Sequence, residues 1–297
     1  MTEKQKSDEV FVLEKLRFFS DIHIWPTYNR VDYQAWLSNF DEKELPYAYK
    51  LLNFFCFFNN DMVDSLFRAA IHNLSNLYRK YDTEFATWAL FFKNIYFTYV
   101  SGEIPNPTDS GFLFARRAKK VCNIDELKVL MHDSIFRMEQ ELKDGYLIFL
   151  DDFIGSGIQI YECLMYDLHH PPILKFCRDH NIKMVYCPLV ATSKGIANVQ
   201  KYVPDIEIVP VHILNEKYNI FAPGSLCWDG KDQQRGIEMI ECISKRLGIP
   251  MNDENDDFYW KGFCSLGLAL GFEHSVPDAT IPLFRWNRNG WKPLVRI

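Results

Sequence analysis

The stretch that most constrains the fold is a short apolar run that ends in two acids and a glycine turn. Residues 146–150 are all apolar and are followed directly by Asp151 and Asp152, a pattern that predicts a short buried strand of a parallel sheet. The glycines of residues 155–157 permit backbone angles that other residues disfavour, and the periodic apolar residues of 158–168 predict a helix. The sequence therefore predicts a strand, an acidic pair, a turn and a helix in succession.

This succession of elements suits the binding of a sugar phosphate. Backbone N–H groups at a glycine turn and the positive end of a helix dipole favour a phosphate monoester. Asp151 and Asp152 can accept hydrogen bonds from vicinal hydroxyls, and a cation or sugar hydroxyls would relieve the repulsion between the two carboxylates. The same residues equally fit a structural strand-to-helix turn whose acids are only solvated.

The segment resembles the phosphoribosyl pyrophosphate (PRPP) motif of type I phosphoribosyltransferases, in which apolar residues lead to two acids, a short linker and Ser-Gly or Thr-Gly. The resemblance implies that Asp151 and Asp152 hold the ribose hydroxyls as the catalytic pair, with Mg²⁺ on the leaving pyrophosphate. It also implies a 5-phosphate loop formed by Phe153, Ile154, Gly155, Ser156 and Gly157. The chain departs from the family at Gln159, where the motif often has threonine, and this departure argues against ordinary nucleotide salvage.

A narrower resemblance covers most of the chain, from about Trp36 to Arg296. The pattern Asp-Asp-Phe-x-Gly-Ser-Gly-x-Gln, the segment Trp36-Leu37-x-x-Phe40 and the tail through Trp286 and Trp291 are similar to the PRTase-CE group. These are phosphoribosyltransferase-like domains of bacterial conflict systems. The resemblance implies an effector in a bacterial defence or toxin system, with PRPP or a nucleotide as ligand and room for a protein partner.

Two further sets of candidate residues follow other predicted strands. By the resemblance, Ser110 and Gly111, followed by Arg116 and Arg117, occupy a place comparable to a pyrophosphate-binding loop, although clustered cations are usually a solvated helix face. Ser193 and Lys194 follow a predicted strand at residues 183–191, where an α/β sheet presents ligand contacts, but an ordinary helix cap explains them as well.

One more candidate lies in the proline- and tryptophan-rich tail. His274 precedes a segment that would suit an irregular cap over the base side of the pocket, and we consider this histidine as a ligand contact. A histidine in the core or on the surface is the alternative.

The order of predicted elements indicates an α/β protein with a parallel sheet flanked by helices, as in phosphoribosyltransferases, and an N-terminal helical lobe. We predict a helical lobe at residues 1–92 and an α/β domain with a C-terminal cap at residues 93–297. Strands are expected at residues 94–100, 146–150, 183–191 and 206–214.

Composition narrows the class of protein. The 33 basic and 39 acidic residues give a net charge of −6, which argues against a broad nucleic-acid-binding surface. The eight cysteines contain no C-x-x-C pair, so no zinc site is predicted, and reduced thiols fit a cytoplasmic protein. The N-terminal residues are charged, without a signal peptide, and no apolar run approaches the ~20 residues that span a membrane.

Three functions remain open at this point. The first is a phosphoribosyltransferase that binds PRPP and magnesium. The second is a sensor without catalysis, in which the same pocket binds a nucleotide and regulates a partner protein. The third is a helical adaptor whose sheet binds no ligand. The acidic pair favours the enzyme, and Gln159 favours the sensor.

Overall fold

The computed structural model describes residues 3–26, 30–81, 93–101, 110–166 and 171–296. Its contacts divide the chain into two compact units. One unit joins the two ends of the chain, Met1–Met62 and Asn215–Ile297, and the other is the continuous segment Val63–Leu214.

Within the described ranges, helices and strands alternate through the middle of the chain. The helices are α1 (Glu3–Asp21), α2 (Tyr33–Leu37), α3 (Leu45–Phe54), α4 (Asn60–Tyr81), α5 (Ser110–Cys122), α6 (His132–Arg137), α7 (Glu139–Leu142), α8 (Ile158–Met165), α9 (Ile173–Asp179), α10 (Ser193–Tyr202) and α11 (Gln233–Leu247). The strands are β1 (Cys56–Phe58), β2 (Ile95–Tyr99), β3 (Tyr146–Ile154), β4 (Lys183–Thr192), β5 (Glu207–Ile208), β6 (His212–Leu214) and β7 (Leu270–Phe272). Single 3-10 turns lie at Glu126–Lys128, Glu216–Tyr218, Gly230–Asp232, Phe263–Ser265 and Pro282–Phe284.

The continuous unit is built on a parallel sheet in the order β2-β3-β4, with β5 and β6 pairing in turn along the free edge of β4. Every strand pair in this sheet is parallel, and helices connect the strands from β2 to β5, whereas β6 follows β5 without a helix. The two central strands are buried over nearly their whole length, which explains why their sequences are continuous apolar runs rather than alternating ones. The predicted α/β class with a parallel sheet flanked by helices is confirmed.

The acid-bearing strand is longer than the sequence predicts. We expected it to end at Leu150, but β3 continues to Ile154, so Asp151 and Asp152 lie inside the strand. The reason is β4, a ten-residue strand that continues to pair beside it, with Phe153 opposite Val190. The helix that follows runs over Ile158–Met165, and the last residues of the predicted helix, 167–168, lie outside the described residues.

The discontinuous unit brings the N-terminal helices and the C-terminal tail into one aromatic core. Trp36 stacks on Phe284 with ring centroids 5.5 Å apart, and its indole N–H donates to the carbonyl of Leu283 at 2.8 Å. Trp291 donates to the same carbonyl at 3.0 Å and contacts Phe40 edge-on. A short parallel pair, β1 with β7, joins the two segments. The two sequence patterns at Trp36 and in the tail are therefore complementary parts of one core.

The two compact units are defined by contacts between residues, whereas the predicted domains are continuous stretches of the sequence. The predicted boundary between residues 92 and 93 adjoins residues 82–92, which lie outside the described part of the chain. The division into domains 1–92 and 93–297 stays a prediction.

Candidate functional site

The centre of the candidate site is Asp151, whose carboxylate has two hydrogen-bond donors from the protein. The hydroxyl of Tyr186, on the neighbouring strand β4, donates to Oδ2 at 2.5 Å, and the amide of Asp152 donates to Oδ1 at 2.9 Å. Only 2% of Asp151 and 1% of Tyr186 are exposed. Asp151 is thus fixed in place by the sheet itself.

Burial dominates the electrostatics of this pair. Loss of solvation and the adjacent Asp152 carboxylate raise the pKa of Asp151 well above its usual range, and the hydrogen bonds from Tyr186 and the Asp152 amide oppose this rise only in part. Burial and the nearby Asp151 charge likewise raise the pKa of Tyr186, so this phenol keeps its proton and acts as the donor. Asp151 therefore takes up a proton at a higher pH than an exposed aspartate does.

The glycine turn after β3 is packed against the start of α10. The hydroxyl of Thr192 donates to the carbonyl of Gly155 at 2.6 Å and accepts the amide of Gly195 at 2.9 Å. The side-chain amide of Asn198 donates to the carbonyl of Ser156 at 2.9 Å. A Cβ atom on Gly195 would lie 2.3 Å from the Gly155 oxygen, so only glycine allows this approach. The end of β4 and the first turns of α10 therefore hold the glycine turn in place.

Gly157 is the N-cap of α8 and has a left-handed backbone, with φ 82° and ψ 5°. Its missing side chain also leaves room for α10, because a Cβ would lie 2.7 Å from the carbonyl oxygen of Gly195 and 2.8 Å from Val199. The sequence prediction that this position requires glycine is consistent with both observations.

The turn presents backbone N–H groups at the beginning of a helix. The hydroxyl of Ser156 accepts the amide of Ile158 at 3.3 Å, whereas the amides of Gly155, Ser156 and Gly157 donate to no other described residue. Phe153 is half-buried and Ile154 is buried, and both pair with β4 through the backbone. Such an array of N–H groups at a helix start can bind an anion.

The predicted pyrophosphate residues separate into different environments. Ser110 and Gly111 form the start of α5, after a segment, residues 102–109, that lies outside the described part of the chain. The guanidinium of Arg117 is 8% exposed and forms an ion pair with Asp64. Arg116 is exposed and lines a cavity described below. Neighbouring arginines therefore point to different faces of one helix.

The remaining predicted residues lie apart from the acidic pair along the chain. Thr192 caps α10, so Ser193 and Lys194 are the first residues of this helix, and both are exposed. His274 belongs to the discontinuous unit, where its ring stacks on Phe272 at 5.3 Å. Ligand contact by these three residues stays a prediction.

Comparison with known families identifies the chain. The PRTase-CE family profile matches residues 33–296, which is nearly the whole length. The chain belongs to the PRTase-CE family. No curated protein gives a significant match. The matched range includes the acidic strand, the glycine turn and the tail, so this PRTase-CE protein is phosphoribosyltransferase-like, in agreement with its parallel α/β sheet.

The PRTase-CE sheet also gathers side chains that the sequence analysis did not single out. His132 Nε2 lies 2.9 Å from the carbonyl of Tyr99 and 3.9 Å from the thiol of Cys163, which in turn lies 3.9 Å from the hydroxyl of Ser101. Burial lowers the pKa of His132, but its contacts with Cys163 and Tyr99 outweigh burial and leave the pKa above its usual value. Tyr186 was missed as well, because its contact with Asp151 depends on the pairing of β4 with β3.

Two searches of the described residues concern metal sites and membrane spans. Among the residues that the structure describes, no group of three or more His, Cys, Asp or Glu side chains is arranged to hold a metal ion. No helix in the described ranges has both the length and the apolar character needed to cross a membrane. All eight cysteines are free thiols.

Proposed function

We propose that this protein binds PRPP, or a related ribose 5-phosphate compound, at the acidic strand and glycine turn of the parallel sheet. The 5-phosphate would bind the amides of Gly155, Ser156 and Gly157, and the ribose hydroxyls would bind the acidic pair. The observation that carries the proposal is the juxtaposition of two buried acids with amide donors at a helix start, three residues further along the same strand and turn.

The two acids have unequal roles in this proposal. Both oxygens of Asp151 already accept hydrogen bonds from Tyr186 and from the Asp152 amide, so this residue orients the strand end and its neighbour. Asp152 is 6% exposed and supplies the ribose contact. The resemblance to the PRPP motif treats both acids alike, whereas the proposal gives the ribose contact to Asp152, whose carboxyl group also forms a hydrogen bond with that of Asp151.

Magnesium enters the proposal through the ligand. Mg²⁺ is usually held by one or two carboxylates together with phosphate oxygens and water, rather than by an all-protein cage. With no described cluster of three ligating side chains, the oxygens of the pyrophosphate and ribose would provide most of the coordination, with Asp152 as the protein carboxylate. The ion would neutralise charge on the leaving pyrophosphate.

A transferase built on this site would work by orientation and charge stabilisation. Substitution at the anomeric carbon of PRPP passes through a cationic sugar, which needs fixed carboxylates and a held leaving group rather than a protein nucleophile. Asp152 provides such a fixed carboxylate, because it lies on β3, which pairs with β4. By the family resemblance, the reaction would serve a bacterial defence or toxin system.

The alternative is a sensor that binds the same ligand without transferring it. One observation favours this alternative: Arg117, one of the two arginines predicted to hold pyrophosphate, is buried and ion-paired with Asp64. A binding site with fewer cations at the leaving group retains affinity for the ribose phosphate but loses charge stabilisation during transfer.

Isothermal titration of the full chain with PRPP and Mg²⁺ tests the proposal, with ribose 5-phosphate, AMP and GMP as comparison ligands. We expect PRPP to bind wild type and to lose measurable affinity in the variant Asp151→Asn/Asp152→Asn. Asp179→Asn, an exposed aspartate on α9, is the matched control and should bind as wild type does. PRPP affinity that is equal in all three proteins would remove both acids from the site.

A pyrophosphate-release assay then distinguishes a transferase from a sensor. Acid-dependent PRPP binding with pyrophosphate release upon addition of an acceptor base supports the transferase. Binding without release for any purine, pyrimidine or nicotinamide acceptor supports the sensor. Absence of PRPP binding to wild type would support the adaptor function instead.

A further inference from the structure

The continuous unit has a cavity that none of the residues of the acidic pair or the glycine turn lines. It has a volume of about 680 Å³ and is bounded on one side by α5 and on the other by the segment that follows this helix, as far as Met131. Cavities that bind small molecules usually have volumes of roughly 300–1,000 Å³, so this one is large enough for a nucleotide. All its lining residues belong to described segments.

The floor of the cavity is apolar and fixed to the sheet. The amide of Leu130 donates to the carbonyl of Phe97 at 2.7 Å, and the hydroxyl of Thr98 donates to the carbonyl of Leu130 at 3.0 Å. These bonds attach Leu130 to the outer edge of β2, beside Tyr99, whose ring stacks on His132 at 4.8 Å. Tyr99 and Leu130 therefore line the cavity as side chains held in place by the sheet and by His132.

Met131 completes the apolar surface at the open side. Its side chain is 56% exposed, in contrast to Tyr99 at 4% and Leu130 at 5%. A flexible thioether at a pocket mouth adapts readily to a flat ring that enters above the floor. The apolar part of the cavity is therefore continuous from the edge of β2 to solvent.

The opposite wall is cationic. Arg116, Lys119 and Lys120 are spaced three and four residues apart, which places them on one face of α5. Lys119 forms an ion pair with Glu126 across the cavity wall. Arg116 and Lys120 are exposed and make no ion pair with any residue that the structure describes. Within the described part of the chain, these two positive charges can therefore attract an anionic ligand.

An apolar, partly aromatic floor beside two available cations matches a ligand with a flat ring at one end and a charged phosphate chain at the other. Inorganic phosphate would leave the floor unused, and a free base would leave the cations unused. Arg116 can bind phosphate oxygens in a bidentate way, with Lys120 as a second positive charge one turn away.

We propose that this cavity binds a nucleoside di- or triphosphate, with the base against Tyr99, Leu130 and Met131 and the phosphates on Arg116 and Lys120. Neither Asp151 nor Asp152 lines the cavity, although Tyr99 pairs with Leu150 of the acidic strand, and the proposal does not depend on PRPP binding at the two acids. The proposed contacts are an apolar surface and two cations, so the role proposed for this site is ligand recognition.

The test is isothermal titration of the full chain with ATP, with pyrophosphate and adenosine titrated separately. We expect saturable ATP binding that weakens as salt is raised. The variant Arg116→Glu/Lys120→Glu should weaken ATP binding by at least about tenfold, since each charge-assisted contact is lost and replaced by repulsion. Arg137→Glu/Lys143→Glu makes the same change in net charge at exposed positions elsewhere in this unit, and should change ATP affinity less than about twofold.

Further variants distinguish the base contact from the phosphate contacts, and the cavity from the acidic strand. Met131→Ala, which removes apolar surface without adding charge, should weaken ATP binding but leave the weaker pyrophosphate binding within about twofold. Asp151→Asn/Asp152→Asn should leave ATP binding unchanged, whatever it does to PRPP. Arg116→Gln/Lys120→Gln, which adds no repulsion, provides the same comparison if the glutamate variant does not fold.

The proposal is wrong if ATP does not saturate wild type, or if the charge-reversal variant binds ATP as tightly as its control. Equal affinity for pyrophosphate and ATP, together with no effect of Met131→Ala on ATP binding, would also overturn it, because the cavity would then bind anions without recognising a base. Loss of ATP binding in the double asparagine variant would place ATP at the acidic strand instead.

Discussion

The hydroxyl of Tyr186 donates a hydrogen bond of 2.5 Å to Oδ2 of Asp151, between neighbouring parallel strands and out of contact with bulk solvent. This bond satisfies one oxygen of a buried carboxyl group, and the Asp152 amide satisfies the other. A buried carboxyl that lost its donor would retain the full cost of desolvation. The acidic strand of this protein therefore depends on a residue of β4 for its geometry.

Replacement of Tyr186 by phenylalanine tests this dependence. Because Tyr186→Phe removes the donor and keeps the ring, we expect it to lower the free energy of unfolding by about 1–3 kcal/mol. Urea denaturation followed by circular dichroism measures the change. Tyr202→Phe, at a tyrosine that is 52% exposed, is the control and should have almost no effect. Equal stability of Tyr186→Phe and wild type would mean that the hydroxyl contributes nothing to holding Asp151.

The pH dependence of stability provides a second prediction. The pKa of Asp151 is raised in the folded protein, first by burial and then by Asp152, whereas in the unfolded chain it returns to about 3.9. Between these two pKa values the folded state binds more protons than the unfolded state does, so this residue makes stability fall as pH rises. Below the unfolded pKa its contribution is constant.

Asp151→Asn removes this titration without changing the size of the side chain. Urea midpoints between pH 4 and pH 8 should therefore fall less steeply with pH in the variant than in wild type, and the two curves should differ most at the upper end. Asp179→Asn, at an exposed position, should keep the wild-type slope. Parallel curves for wild type and Asp151→Asn would contradict the raised pKa.

Gly157 is the position at which a single methyl group should matter most for the turn. Gly157→Ala combines a left-handed φ of 82° with contacts of 2.7 Å to the Gly195 oxygen and 2.8 Å to Val199. We expect a loss of about 2–4 kcal/mol in unfolding free energy and weaker PRPP binding, because the turn must move away from α10.

Gly224→Ala is a matched control for the backbone angle. Gly224 also has a positive φ, 72°, but a Cβ there meets nothing within 4 Å. Its substitution should cost only the ~1 kcal/mol of left-handed strain. If both alanine variants lose the same free energy of unfolding in urea denaturation, the packing of Gly157 on α10 does not contribute to stability.

Local patterns in the sequence were sufficient to locate the acidic strand, the glycine turn and the helix after it. The apolar run before Asp151 and Gly157 have direct physical consequences for backbone conformation, whereas Gly155 does not have a positive φ. The resemblance to phosphoribosyltransferases placed this segment in an α/β sheet that the structure confirms. These features depend on neighbours in the chain, which a sequence displays.

Features that depend on pairing between distant segments were not predictable in the same way. The extension of β3 to Ile154 follows from the length of β4, and the Tyr186 contact follows from the register that places Asp151 opposite Pro188. Tyr186 lies two residues before Pro188 and so on the same face of β4. No local pattern in the acidic segment contains that register.

The four cations of α5 show a further limit of local patterns. Spread over five positions, Arg116, Arg117, Lys119 and Lys120 cover more than one face of a helix, so their spacing does not reveal which face is buried. The buried face is the one with Arg117, which forms an ion pair with Asp64, 53 residues earlier in the chain. The other three cations line the cavity.

The two neighbouring arginines should therefore respond oppositely to the same substitution. Arg117→Met leaves the partly buried Asp64, whose side chain is 22% exposed, without this ion-pair partner, and we expect a loss of about 1–3 kcal/mol in unfolding free energy with little direct effect on anion binding. Arg116→Met removes an exposed cation, so stability should change by less than about 0.5 kcal/mol, while affinity for ATP falls. Urea denaturation and ATP titration of both variants measure the two quantities.

The double change Arg117→Met/Asp64→Leu identifies the cause of any loss. Because it removes both charges of the pair, it should recover much of the stability lost in Arg117→Met, as replacement of a whole buried pair costs less than removal of one member. If instead Arg117→Met is as stable as wild type and lowers ATP affinity as strongly as Arg116→Met does, both arginines face the ligand, and the division of α5 into a structural and a binding face is wrong.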